Sequence, residues 1–297
     1  MPRAVRVFLH RGLCGICLGL LASVPAQAAS PSVSLAPLIV QAEARGLPTK
    51  FLRAIPPDFF TIEFADLRAF AAEYHPSEHV MVLDRSLSFN QAGGTLKPIG
   101  AMTHKEVGTL FHELFHVYID YLKATIQDSL SPDDRQLFAA MRLLQECRYQ
   151  AVPIAPIVQR RSVQEIRFLT SKEAGEALEE TWAVFVGWAV WSYLEIVRGG
   201  RSAHLSGNAR WGVRLAQADR AGTLVGYYEP EDIRERSITS KRYLAVSYRI
   251  TPQEIVYILS HVFGESPGAI EKVVQGMEQQ RPPLKENPPC VSEKHLP

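Results

Sequence analysis

The sequence predicts an α+β fold that is mainly helical, with a small N-terminal sheet and a helical C-terminal half. Three observations carry this expectation. Apolar residues recur at helical spacing over long stretches in the middle and second half of the chain. Short runs rich in Val, Ile, Leu and Phe, suited to strands, lie mostly in the first half. The 297 residues are 46% hydrophobic and 21% charged, enough apolar material for one large domain or two small ones. A formal net charge of +1 leaves no footprint for nucleic acid or another polyanion.

In chain order, "MPRAVRVFLHRGLCGICLGLLASVPAQAAS" opens on Arg3, Arg6 and Arg11. An uncharged apolar run follows over residues 12–24, then Ala26, Gln27 and Ala28. This layout predicts a signal peptide over 1–28, cleaved after Ala28, and hence an exported protein, periplasmic or secreted, of bacterial type. The run is well short of the roughly 20 residues that span a bilayer. Cleavage removes Cys14 and Cys17 and leaves Cys147 and Cys290, which an oxidising compartment would allow to pair.

A short helix is expected around residues 37–45. "FFTIEFADLRAFAAEY" (59–74) reads as a strand running into a helix, and "HVMVLDRSLSF" (79–89) as a second strand. Gly93-Gly94 supplies a turn. Thr103 and Glu106 form the two halves of a capping box, opening a helix to about Lys123. The stretch 127–171 reads as an insert: an amphipathic helix over 133–148, a Pro-broken loop over 151–156, then more polar helix. A long helix follows from Ser171, stopped by Gly199-Gly200. Its uncharged stretch, 181–194, is too short for a membrane span and suits a buried helix. Residues 222–251 suggest a hairpin or irregular segment, and two helices follow over 252–262 and 267–280. The Pro-rich tail 281–297 is expected to be flexible.

"TLFHELFHVYID" (109–120) carries the chemistry. His112 and His116, four apart on a helix, point the same way one turn apart and can reach one metal ion. Glu113, rotated by roughly 100°, sits beside such an ion and can take a proton from the water it activates. HExxH arises by chance in roughly one chain in fifty of this composition, so the uncharged flanks matter: they suit a site set against a core. The alternative is a core helix with two satisfied histidines. Asp120, one turn past His116, could orient that ring or be solvated at the helix end.

These residues resemble the zincins, the zinc metallopeptidases built around HExxH. Thr109, Leu114, Phe115 and Tyr118 fit their wider pattern. The metzincin continuation is absent, with Ile119 and Leu122 at its glycine and third histidine. "EETWAVF" (179–185) resembles instead the second-helix motif of the gluzincins. That resemblance implies Glu180 as third ligand of one Zn2+ per chain, beside His112 and His116, with Glu113 as catalytic base. It also implies a zincin-like catalytic domain over 29–280, with the edge strand before the motif lying along the cleft to pair with extended substrate. Thr181 replaces the common glycine, and 63 residues separate His116 from Glu180. Glu176, on the same face, is the competing ligand; Glu179 is rotated away. Tyr227, Tyr228, His204 and His261 are candidates for stabilising an oxyanion, with none preferred.

The function expected is an exported zinc metallopeptidase acting on a peptide or protein substrate, with no nucleic acid and no stable membrane span after cleavage. The alternative is a zincin-like scaffold for binding or assembly, with structural zinc or none.

Overall fold

The computed structural model describes residues 35–67, 71–90, 94–156, 165–197, 209–234, 243–244 and 250–278. Residues 1–28, expected as a signal peptide, lie outside these, as do His204, Gly199-Gly200, Cys290 and the tail. Two helices come first, α1 (Leu35–Glu43) and α2 (Lys50–Ala54). A three-stranded sheet follows, made of β1 (Thr61–Ala65), β2 (Ala72–His75) and β3 (Val80–Asp84). β3 is its centre, parallel to β1 and antiparallel to β2, so β2 is an edge strand. This corrects the helix expected after β1. Residues 72–74 form strand because Tyr74 pairs with Met81 and Ala72 with Leu83. Tertiary pairing here overrides the helix preference of an alanine-rich run.

Helix α3 (His104–Ala124) carries the histidine motif, and α4 (Pro132–Cys147) follows it. Residues expected as a Pro-broken loop are strand β4 (Ala151–Pro156), and part of the polar helix beyond is strand β5 (Glu165–Phe168). β4 pairs with β5 over 151–154 and with β7 (Tyr243–Leu244) only at 155–156. Among the described residues each flank is thus paired over part of its length, which is how a strand accommodates two prolines. β7 pairs antiparallel with β6 (Tyr227–Tyr228), in keeping with the hairpin suggested for 222–251, and together these form a second sheet, ordered β5-β4-β7-β6, inside the half expected to be mainly helical. The remaining helices are α5 (Ser171–Ile196), α6 (Ala209–Ala221), α7 (Pro252–Tyr257) and α8 (Pro267–Glu278). A π-helical turn, Ile258–Phe263, extends α7. Cys147 is disulfide-bonded. No helix among the described residues is long and apolar enough to cross a membrane.

Three helices start with the same device. Thr103, Thr170 and Thr251 each accept the backbone N–H three residues on, and Glu106, Glu173 and Glu254 return the bond to the cap. Each box satisfies two of the donors a helix start leaves open. In the third, the glutamate also works in the core. Glu254 is fully buried, and its Oε1 accepts from Tyr149 Oη (2.7 Å) and Trp182 Nε1 (3.2 Å). Arg148 Nε lies 3.5 Å from its Oε2. A carboxylate this deep is tolerable because its oxygens are paired and hydrogen-bonded. It ties α7 to the end of α4 and to the middle of α5.

The core sits between α3 and α5. Phe111, Leu114, Phe115, Trp182, Phe185 and Val186 are all fully buried. The two helices run antiparallel: His104 meets Glu195 at one end, and Lys123 meets Glu179 at the other. Between these contacts the axes close on two glycines. A Cβ on Gly187 would lie 2.8 Å from the Gly108 carbonyl oxygen and 3.2 Å from His112 Cβ. A Cβ on Gly108 would lie 2.9 Å from the Gly187 oxygen. No side chain fits there, so backbone meets backbone one turn from His112.

Candidate metal centre

The close crossing of α3 and α5 brings His112, His116 and Glu180 together. His112 Nε2 and His116 Nε2 are 3.2 Å apart. Glu180 Oε2 is 3.5 Å from His112 Nε2, and its Oε1 is 3.3 Å from His116 Nε2. Donors about 2.0–2.1 Å from one tetrahedral ion stand about 3.3 Å from each other, so the three spacings suit a single ion. Among the described residues this is the sole His/Cys/Asp/Glu cluster of that kind. Glu180 Oε2 is buried and has no hydrogen-bond partner. An orphaned carboxylate oxygen facing two imidazoles is the donor set a divalent cation would complete.

Without an ion the three groups are held by charge pairing, and a metal would have to displace the proton from His116 to use it as a ligand. Burial by itself lowers His116, but the charge and hydrogen bond of Glu180, with Glu113 and Glu179 behind, hold it up at about 9. Burial raises Glu180, yet the two imidazoles outweigh it and hold the carboxyl well below its usual range. Each group is stabilised in its charged form by the other.

Glu113 is 8% exposed and lines the same cleft, one position round the helix from His112. The cleft measures about 1180 Å³. Its walls are α3, α5, strand β2, Gln145 of α4 and Tyr227 of β6. The strand expected along the cleft, 79–89, is instead the sheet's centre; the cleft edge is β2, with Ala72, Glu73 and Tyr74 on its wall. Asp120 takes neither expected role. Its Oδ2 accepts from Tyr74 Oη (2.6 Å) and lies 2.8 Å from His79 Nδ1. The bond pins β2 to α3.

No family model, curated protein or solved structure matches the chain. The site therefore has to be read from its own residues.

Glu176 and Glu179 are not part of the cluster. Glu179 is drawn to Lys123 Nζ, 2.5 Å away. Glu176 accepts the backbone N–H of Glu229 at 3.1 Å. Burial, opposed by that bond and assisted by the charge of Glu180, raises its carboxyl to about 7. A carboxyl raised on folding binds a proton more readily in the native state. Its contribution to stability is therefore fully present below the unfolded value near 4.5 and lost as pH rises through 7. Glu176→Gln should remove this loss. In urea denaturation of the metal-free chain, the variant is expected to match the parent at about pH 4 and exceed it by about 1–2 kcal/mol at about pH 8. Equal stabilities at pH 8 would sink the assignment.

Of the four oxyanion candidates, Tyr227 lines the cleft and His204 is outside the described residues. Tyr228 is buried in the core, and His261 stacks on Tyr257 away from the cleft. The Tyr227 segment is strapped to α5 at two points. Gly226 N donates to Thr181 Oγ1 (3.3 Å), which itself donates to the Ala177 carbonyl (2.7 Å), and Glu229 N reaches Glu176. A Cβ on Gly226 would fall 2.2 Å from Thr181 N, so only glycine allows this approach. Thr181, the departure from the gluzincin pattern, is thus one of the two residues that hold the strap, with Glu176.

Gly108, Gly187, Gly226 and the β2 edge escaped the sequence reading. A signal for the first two was present. An interior glycine costs a helix about 1 kcal/mol against alanine, and two such positions in long apolar helices call for a packing reason.

Proposed function

We propose that the protein is a zinc-dependent metallopeptidase of gluzincin type, exported after removal of residues 1–28. The observation that supports it most is the convergence of three donor atoms from two helices, at spacings of 3.2, 3.3 and 3.5 Å, beside a buried glutamate one position from the first histidine. His112, His116 and Glu180 would hold the ion. Zinc at such a place supplies Lewis acidity, which acidifies water and polarises a carbonyl. Glu113 accepts the proton from the attacking water and passes it to the leaving amine. Tyr227, on the cleft wall, is the hydroxyl donor for the oxyanion that forms meanwhile. The edge of β2, unpaired among the described residues, offers backbone groups to an extended peptide.

The deciding experiment is metal content of the mature chain purified without chelators. One zinc per chain in the parent, lost in Glu180→Ala and kept in Glu176→Ala, supports the reading. A parent that stays metal-free after reloading with zinc overturns it. On the active enzyme, Tyr227→Phe should keep zinc and lower kcat by about 10²-fold with little change in KM. An unchanged kcat removes Tyr227 from the mechanism.

A further inference from the structure

We infer that the half of the cleft between Glu180 and the C-terminal end of α5 is a specificity site for two large apolar side chains at alternate positions of an extended peptide, both on one side of the bond to be cut. The inference rests on the peptidase reading above and names its substrate class.

Lys172, Glu176, Glu180, Val184 and Trp188 all line the cleft. They recur every fourth residue, so they form one stripe along α5. The stripe changes character at the candidate ligand. Towards the start of the helix it is charged, Lys172 and Glu176. Beyond Glu180 it is apolar, Val184 and Trp188, joined on the cleft wall by Trp191. The polarity therefore varies along the helix as well as around it, and the change falls at the point where a peptide bond would be cut.

The spacing of the apolar half suits a strand. Four helical residues rise about 6 Å. In an extended chain, side chains on the same face repeat every two residues, about 6.6 Å. A peptide lying along the cleft would set one side chain against Val184 and the next on that face against Trp188. The walls at that end are already in place. Trp188 stacks on Phe185 (ring centroids 6.3 Å apart, 26° between planes) and packs on Trp211 at 5.9 Å. The Arg214 guanidinium lies 5.0 Å from the Trp191 ring centre. Gly108 and Gly187 also line this part of the cleft and put no side chain into it. Preformed aromatic walls beside open space are what a bulky apolar group needs. The edge of β2 on the same cleft supplies backbone pairing that keeps the peptide extended.

The test uses the full mature chain carrying Glu113→Gln, so that binding is read without cleavage. Decapeptides of Ser and Ala carry two Leu residues either at alternate or at adjacent positions, and affinity is measured by calorimetry. The alternate peptides are expected to bind at least tenfold more tightly than the adjacent ones, a factor consistent with burying one further large apolar side chain. Adding Trp188→Ala should cost the alternate peptides about tenfold and leave the adjacent ones unchanged, with Trp188→Phe restoring most of the loss. Equal affinities for the two patterns, or an alternate preference that survives Trp188→Ala, would overturn the inference. Zinc content and hydrolysis by the parent are measured in parallel. Binding that follows the pattern in a chain that neither holds zinc nor cleaves ends the peptidase reading alone. Cleavage of peptides without the pattern ends this inference alone.

Discussion

Glu113→Gln is expected to keep one zinc per chain and to lower kcat/KM for peptide hydrolysis by about 10²–10⁴-fold. The substitution is nearly isosteric, and Glu113 is packed at 8% exposure, so the fold has little reason to move. What changes is the ability to accept a proton. Gln cannot take one from water, so the attacking group stays neutral and the leaving amine goes without its donor. His112, His116 and Glu180 are untouched, which is why metal content separates this variant from one that lost the site. The check is elemental analysis beside initial rates on one good peptide. Retained zinc with a rate within tenfold of the parent would remove Glu113 as base and favour a binding role for the centre.

The second large effect comes from a residue with no polar side chain at all. Gly187→Val is expected to destabilise the chain by about 3 kcal/mol and to weaken zinc binding by more than tenfold. The added Cβ would meet the Gly108 carbonyl oxygen at 2.8 Å and His112 Cβ at 3.2 Å. Backbone cannot yield as a flexible side chain does, so α3 and α5 must part or slide. Either movement carries His112 and Glu180 out of register. Gly212→Ala is the control: a Cβ there meets nothing within 4 Å, and a helical alanine should be neutral or stabilising by up to about 1 kcal/mol. Urea denaturation and competitive zinc titration read the two quantities. If Gly187→Val matches the control, the glycine crossing does not set the spacing of the centre.

Much of this site was legible from spacing, because helices obey local rules. Thr103 and Glu106 marked the start of α3, and four-residue spacing put both histidines on one face. Glu180 was implied by the resemblance of residues 179–185 to the gluzincin second-helix motif, with Glu176 as its competitor. The strands were harder to read, since their order is a non-local property. Nothing in 72–75 says that it will pair with 80–83, so an alanine-rich run looked helical and β3 was taken for the edge. Pro153 and Pro156 argued for a loop, because no local feature shows which flank of a strand will be left unpaired. Asp120 was likewise misread: its partners, Tyr74 and His79, are 46 and 41 residues away in sequence. The glycine crossing is the same kind of fact, a contact between elements that neither one states alone.

The 63 residues between His116 and Glu180 bear on how the protein would acquire a metal. An unfolded chain offers the histidine pair but not the carboxylate, which arrives only when α5 docks on α3. Selective affinity is then a property of the native population. An ion present at 100 times its dissociation constant would add about 2.7 kcal/mol to the folding equilibrium. If folding follows export, the ion is chosen from what the outer compartment holds, and a scarce metal would leave behind less of the folded chain as well as less activity.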